Sequence, residues 1–163
     1  VVPQLFGDSA RIVVHGVSMG AATTMMLSGD KDVSPSVMAY IEDCGYTSVA
    51  EQFSKELKEQ FNLPQWPLIP LASQLCQFAY GWNFYQASSL KQVKLCTRPM
   101  LFIHGSADAF VPTSMVYPLY KAKPHPKELW IAPNAPHAKS YLYHPQNYTR
   151  KVEIFLRKYK VLK

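Results

Sequence analysis

The chain has 163 residues, 48% hydrophobic and 13% aromatic, enough for one domain with a substantial core and not the composition of a disordered chain. Its net charge is +6, but the lysines and arginines are spread along the chain and no nucleic-acid-binding signature accompanies them, so a solvated surface is the plain reading and nucleic acid is not an expected partner. No apolar run approaches the roughly 20 residues that a spanning helix needs, and the opening VVPQLFGDSA lacks a signal-peptide layout.

In chain order, residues 11–15 read as a short apolar strand, and 21–28 as a helix of small and apolar residues that stops at Gly29. A second strand spans 37–41. Residues 48–61 place Val49, Phe53, Leu57 and Phe61 on one helical face, and Ser48 with Glu51 has the capping-box spacing. Pro64, Pro67 and Pro70 punctuate the chain before a further helix over 71–81. A third strand covers 99–104. A helix follows over 114–123, delayed or kinked by Pro118, and then a fourth strand over 128–132. The last helix, 146–159, turns Val152, Phe155, Leu156 and Tyr159 inward. Alternation of short apolar strands with helices predicts an α/β fold with a parallel sheet covered by helices.

The cysteines, Cys44, Cys76 and Cys96, are odd in number and form no CxxC pair. Neither a disulfide framework nor a zinc site is expected, and buried small apolar groups are the plain reading, with one bridge plus a free thiol as the alternative.

Gly16-Val17-Ser18-Met19-Gly20 follows the first strand and opens the first helix. A serine hydroxyl needs a nearby base and an exposed position to act as a nucleophile. A G-x-S-x-G turn between strand and helix supplies the exposure; its glycines avoid clashes, and the N–H of Met19 can face an oxyanion. The base is expected to be a histidine held by a carboxylate, in the chain order serine, acid, histidine. Asp108 follows the third strand in GSADAFVP, and His137 follows the fourth in PNAPHAKSY. Glu42 and Asp43, after the second strand, remain open as an alternative acid, a substrate contact or structural polar groups. His15 and His104 read as packing or supporting groups, His125 and His144 as loop residues, and Arg98 lies at the wrong end of the sheet.

HGVSMGAA (15–22), IHGSADAFVP (103–112) and NAPHAKSY (134–141) together resemble the α/β-hydrolase superfamily over nearly the whole chain. IEDCGYTSVAEQF (41–53), LPQWPLIP (63–70) and GWNFYQASSLKQV (81–93) are similar to a group of Firmicute serine hydrolases described as cell-surface or membrane-anchored and related to prolyl-oligopeptidase-like and acyl-hydrolase families. The resemblance implies one domain over 1–163, with residues 63–93 as a helical cap whose Trp66, Phe78, Tyr80, Trp82, Phe84 and Tyr85 either pack the cap or line a substrate pocket. It implies no metal, no organic cofactor, a small-molecule ester or acyl substrate, and a parent protein at the cell surface.

One departure is large. The superfamily's nucleophile normally follows a strand in the middle of a bigger sheet, whereas here the elbow begins at residue 16. The chain is therefore expected to be the C-terminal portion of such a hydrolase, keeping Ser18, Asp108, His137 and the Met19 N–H. It would lack the loop that gives the second oxyanion donor, whose loss costs about 2.7–4 kcal/mol of transition-state stabilisation. The first strand would leave an open edge suited to a homodimer. The leading expectation is a serine hydrolase acting on an ester, thioester or amide, esters before peptides. The rival is a weak or inactive fragment serving as a binding or assembly module.

Overall fold

The computed structural model describes Gly7 and residues 10–162. Strands β1 (Ile12–Val17), β2 (Val37–Asp43), β3 (Met100–Gly105) and β4 (Lys127–Ala132) form one sheet in the order β1-β2-β3-β4, with every neighbouring pair parallel. Parallel neighbours require crossover connections, and helices supply them. Helix α1 (Met19–Ser28) joins β1 to β2. Helices α2 (Val49–Phe61), α3 (Gln65–Tyr80) and α4 (Ser89–Val93) lie between β2 and β3. A 3-10 turn at Thr113–Met115 runs into α5 (Val116–Ala122) before β4, and α6 (Ser140–Tyr143) and α7 (Pro145–Lys158) close the chain. The expected mostly parallel sheet flanked by helices is what forms.

The sheet buries both faces, as parallel sheets do. On one face Tyr40, Met100 and Phe102 pack with Met25 of α1, Val93 of α4 and Val116 and Leu119 of α5. On the other, Ala39, Ile41, Leu101 and Ile103 pack with Tyr148, Phe155 and Leu156 of α7. Alternate residues of each strand serve alternate faces, and the middle strands β2 and β3 accordingly read as nearly continuous apolar runs. Among the described residues β1 has β2 as its only strand neighbour.

Several boundaries differ from the sequence reading. β1 and β2 run two residues beyond their apolar runs, through Gly16–Val17 and Glu42–Asp43, which pair with each other in register. Half of the capping box forms: the Ser48 side chain accepts the Glu51 N–H at 3.2 Å, while the Glu51 carboxylate accepts the Thr47 hydroxyl instead of the Ser48 N–H. The helix expected over 71–81 instead spans Gln65–Tyr80, with Trp66 in a non-helical conformation (φ −101°, ψ 133°). The regular helix therefore begins at Pro67, and Pro70 forfeits one bond at its start rather than breaking its middle. Pro118 sits early in α5, after the 3-10 turn, where its missing N–H is tolerated. α4 and α6, of five and four residues, were not anticipated. Within the segment read as a cap, α3 packs on α2, while α4 packs on α1 in the layer that covers the sheet. Cys44 and Cys96 are buried, Cys76 is half-buried, and all three carry free thiols.

Candidate active site

The site grows from the carboxyl ends of β1, β3 and β4, where open α/β sheets place their ligands. At the end of β1 the chain must turn at once into α1. Ser18 makes that turn with φ 56° and ψ −117°, a left-handed backbone that costs energy for any residue with a Cβ. Two hydrogen bonds hold it there: the Ser18 N–H donates to the Asp43 carbonyl at 2.8 Å, and its carbonyl accepts the Ala22 N–H at 3.1 Å. A serine preceding a helix ordinarily turns its hydroxyl back to cap the first N–H groups. Ser18 makes no such side-chain cap. Its Oγ reaches away to His137.

The two glycines of the motif differ. A Cβ on Gly16 would lie 2.1 Å from the Gly20 carbonyl oxygen, so this position admits no side chain. A Cβ on Gly20 would meet nothing within 4 Å outside its own helix, so the expected clash exists at Gly16 and not at Gly20. Met19 opens α1, where backbone N–H groups have no partner within the helix.

Asp108 lies in the turn after β3 and His137 in the loop after β4. The Ser18 Oγ is 2.8 Å from His137 Nε2, and His137 Nδ1 is 2.8 Å from Asp108 Oδ2. A carboxylate accepts, so Nδ1 carries the hydrogen and Nε2 presents a lone pair to the serine hydroxyl. Burial pushes the Asp108 carboxyl upward, but interactions with His104, His137 and the Val111 N–H outweigh it and hold the group below the ordinary carboxylate range. The three residues picked out in the sequence thus form one unbroken chain of hydrogen bonds. Such a chain can take a proton from the hydroxyl and stabilise the resulting imidazolium.

The residues weighed against them lie elsewhere. Asp43 points to the α7 side of the sheet, where its Oδ1 accepts the Ser140 hydroxyl at 2.9 Å and Tyr148 lies beside the same carboxyl. It anchors the start of α6, three residues past His137, and is not the acid of the chain. Glu42 is fully buried on the α1 side, where its Oε2 accepts the Gly45 N–H at 3.0 Å. His15 Nε2 lies 2.8 Å from the Tyr148 hydroxyl, and His144 Nε2 donates to the Pro133 carbonyl at 2.6 Å. His125 is exposed, and Arg98 donates to the Ser34 carbonyl at the opposite end of the sheet. His104, fully buried, sits 3.5 Å from Asp108 Oδ2.

Three neighbours were missed in the sequence. The Phe110 ring lies 4.8 Å, centroid to centroid, from the His137 ring, and its backbone carbonyl accepts the Gln52 amide at 3.1 Å, tying α2 to the acid loop. Ser140 fixes the histidine loop from below. Their signal was an offset of two or three residues from Asp108 and His137. Cys44 is the third. Its donor atom and those of Asp108 and His137 lie within 4.8 Å of one another, the one such group of possible metal ligands among the described residues. Burial pushes the Cys44 thiol up to about 12, with the Asp43 charge adding to the shift, so the group is a neutral thiol. A cavity of about 410 Å³ adjoins the site through Val17 and Ala138, with Tyr141 and Tyr148 in its wall. A larger one of about 750 Å³ lies between α2 and the start of α3, beside Lys58 and Trp66, and touches none of the three linked residues.

The chain is similar to known proteins over most of its length. A sequence model described as the prolyl oligopeptidase family matches residues 1–160. The uncharacterized protein YqkD of Bacillus subtilis (strain 168) is 36% identical over 145 residues, covering 89% of this chain and 47% of the relative. The Pyrococcus furiosus esterase Pf2001 superposes with a TM-score of 0.68 at 23% identity, over 98% of this chain and 57% of that one. A Pyrococcus horikoshii acylaminoacyl peptidase superposes with a TM-score of 0.65 at 22% identity, over 98% of this chain and 26% of that one. The chain thus spans about half the length of the curated relative and of the esterase.

Proposed function

The chain belongs to the prolyl oligopeptidase family, and so to the α/β-hydrolase superfamily, and on that premise we propose that it is a serine hydrolase cleaving carboxylic esters ahead of amides, with Ser18, His137 and Asp108 as its catalytic residues. The observation that carries the reading is the unbroken contact of hydroxyl, imidazole and carboxylate at 2.8 Å and 2.8 Å, on a turn that holds the serine in a costly backbone conformation.

Ser18 Oγ attacks the substrate carbonyl carbon while His137 Nε2 takes its proton. The carbonyl oxygen becomes an oxyanion, which the Met19 N–H stabilises. His137 then returns the proton to the departing oxygen, leaving Ser18 acylated. A water molecule, deprotonated by the same imidazole, attacks the acyl-enzyme and releases the acid. Asp108, held below the usual carboxylate range, stays ionised throughout and supports the imidazolium. Esters come first because an alkoxide departs with less help from a proton than an amine does, and one assigned oxyanion donor suits the easier reaction.

The test is a fluorophosphonate probe together with p-nitrophenyl acetate hydrolysis, on this chain and on any longer protein that contains it. Labelling and turnover are expected in wild type and in Ser114→Ala, an exposed control. Both should fall by at least about a thousandfold in Ser18→Ala. A folded wild-type protein that neither labels nor turns over substrate would overturn the reading and favour a binding or assembly module.

A further inference from the structure

The Asp108 carboxylate is served by two histidines, and only one belongs to the mechanism above. His104 is the penultimate residue of β3 and is wholly buried. Its Nε2 lies 2.9 Å from the Val111 carbonyl and 3.5 Å from Asp108 Oδ2. A carbonyl only accepts, so Nε2 carries a hydrogen and turns a donor edge toward the carboxylate. Val111 closes the arrangement, since its own N–H donates to Asp108 Oδ1 at 2.9 Å. Asp108 therefore has two hydrogen-bond donors, the Val111 N–H on one oxygen and His137 on the other, while the Nε2–H of His104, donated to the Val111 carbonyl, also lies 3.5 Å from that second oxygen.

The far side of the His104 ring is unusual as well. Its Nδ1 and the Oε1 of Glu42 are both buried without a hydrogen-bond partner among the described residues. Buried unpaired polar atoms are uncommon and disfavoured unless they have a use. Glu42 pairs in register with Phe102, two residues before His104, so the carboxyl and the imidazole occupy the same face of adjacent strands and interact electrostatically. The titratable groups around the ring are Glu42 and Asp43 from β2, Cys44 just after it, and Asp108 with His137 from the loops. The helix packed on this face, α1, brings Ala21 and Met25 and no charge.

We propose that His104 is a positioning residue of the hydrolytic site, holding the Asp108 carboxylate, together with the Val111 turn, in the orientation that serves His137. The inference rests on the serine-hydrolase reading. His104 touches neither substrate nor Ser18 and acts only through Asp108. Although burial alone would lower it, the interactions with Asp108 and the Val111 carbonyl raise the affinity of His104 for a second proton. In either protonation state it withdraws charge from Asp108. Removing the donor leaves a more basic carboxylate, which pulls harder on the proton at His137 Nδ1 and alters the histidine's work as a base.

The test compares His104→Phe, which keeps the ring volume and removes the donor, with His104→Gln, which restores an N–H near the position of Nε2. In His104→Phe, kcat for p-nitrophenyl acetate is expected to fall about tenfold or more with KM within about twofold, and the acid limb of the kcat–pH profile to move. His104→Gln is expected to recover most of the rate and return the limb toward wild type. A folded His104→Phe with an unmoved limb, or a Gln variant no better than Phe, would overturn the proposal in favour of simple packing. A second arm needs neither turnover nor a His104 variant. Imidazole titrations followed by NMR should show His104 losing its second proton at lower pH in Asp108→Asn than in wild type, by about one unit. An unchanged His104 titration would overturn the proposal even if the enzyme is active, whereas a shifted titration in a chain without Ser18-dependent turnover would sink the hydrolase reading and leave the His104–Asp108 contact standing.

Discussion

Glu42 and Asp43 are consecutive carboxyls and both buried, yet they have opposite surroundings. Alternation along β2 sends Glu42 to the α1 face, where among the described residues the Gly45 N–H is its one hydrogen-bond partner. Burial pushes its carboxyl up to about 8, against the pull of His104 and that N–H, so it stays protonated at neutral pH. Asp43 emerges on the α7 face among Ser140 and Tyr148, and its backbone carbonyl also holds the Ser18 N–H. Burial raises its carboxyl too, but two side-chain donors oppose the shift. Burial alone therefore does not decide what a carboxyl does under an active site; the number of donors that the opposing helix brings to it does.

Breaking the Glu42 side of this contrast gives the largest expected effect. Its proton is retained on folding and is released near 4.5 in the unfolded chain, so Glu42 makes stability fall as pH rises from about 4.5 to about 8. Glu42→Gln cannot lose a proton, and its unfolding free energy should lack that decline, a slope of up to about 1.4 kcal/mol per pH unit across the window. Urea titrations from pH 5 to pH 9 check this, and equal slopes in the two proteins would mean that Glu42 is ionised in the fold. On the other face, Asp43→Ala leaves the buried Ser140 hydroxyl without its acceptor and empties the carboxyl's place beside Tyr148, and should cost about 2–4 kcal/mol at neutral pH. Turnover should drop as well, because the loop bearing His137 loses its tie. If stability falls while kcat per folded molecule is unchanged, the anchoring role is wrong. The smallest effect is expected for Ser140→Ala, about 1 kcal/mol, since Asp43 keeps Tyr148. A double-mutant cycle of Ser140→Ala with Asp43→Ala should then show the two effects to be non-additive.

The sequence revealed the parts of the molecule that have a local pattern. A glycine-flanked serine after an apolar run, and an aspartate and a histidine each a few residues past later strands, carried enough geometry to pick out Ser18, Asp108 and His137 before any contact was known. Strand ends were less legible. Gly16 and Glu42 are poor strand formers on their own, and they pair only because each finds the other across a parallel ladder. Helices of four or five residues carry no periodicity to read, which is why α4 and α6 were missed. The prolines around residue 67 read as breaks because a proline's cost depends on its distance from the helix start, and Trp66 sets that start through its backbone. The roles of Glu42 and Asp43 could not be separated at all, since they depend on which helix lies over each face.

The unequal glycines of the elbow bear on how chains of this kind diverge. Position 16 is pinned by a backbone oxygen 2.1 Å from where a side chain would begin, while position 20 opens onto free space at the start of a helix. Natural variation should therefore respect the first glycine and drift freely to alanine or serine at the second. A search for kin built on this geometry would demand the first glycine, the serine and the strand before them, and leave position 20 open.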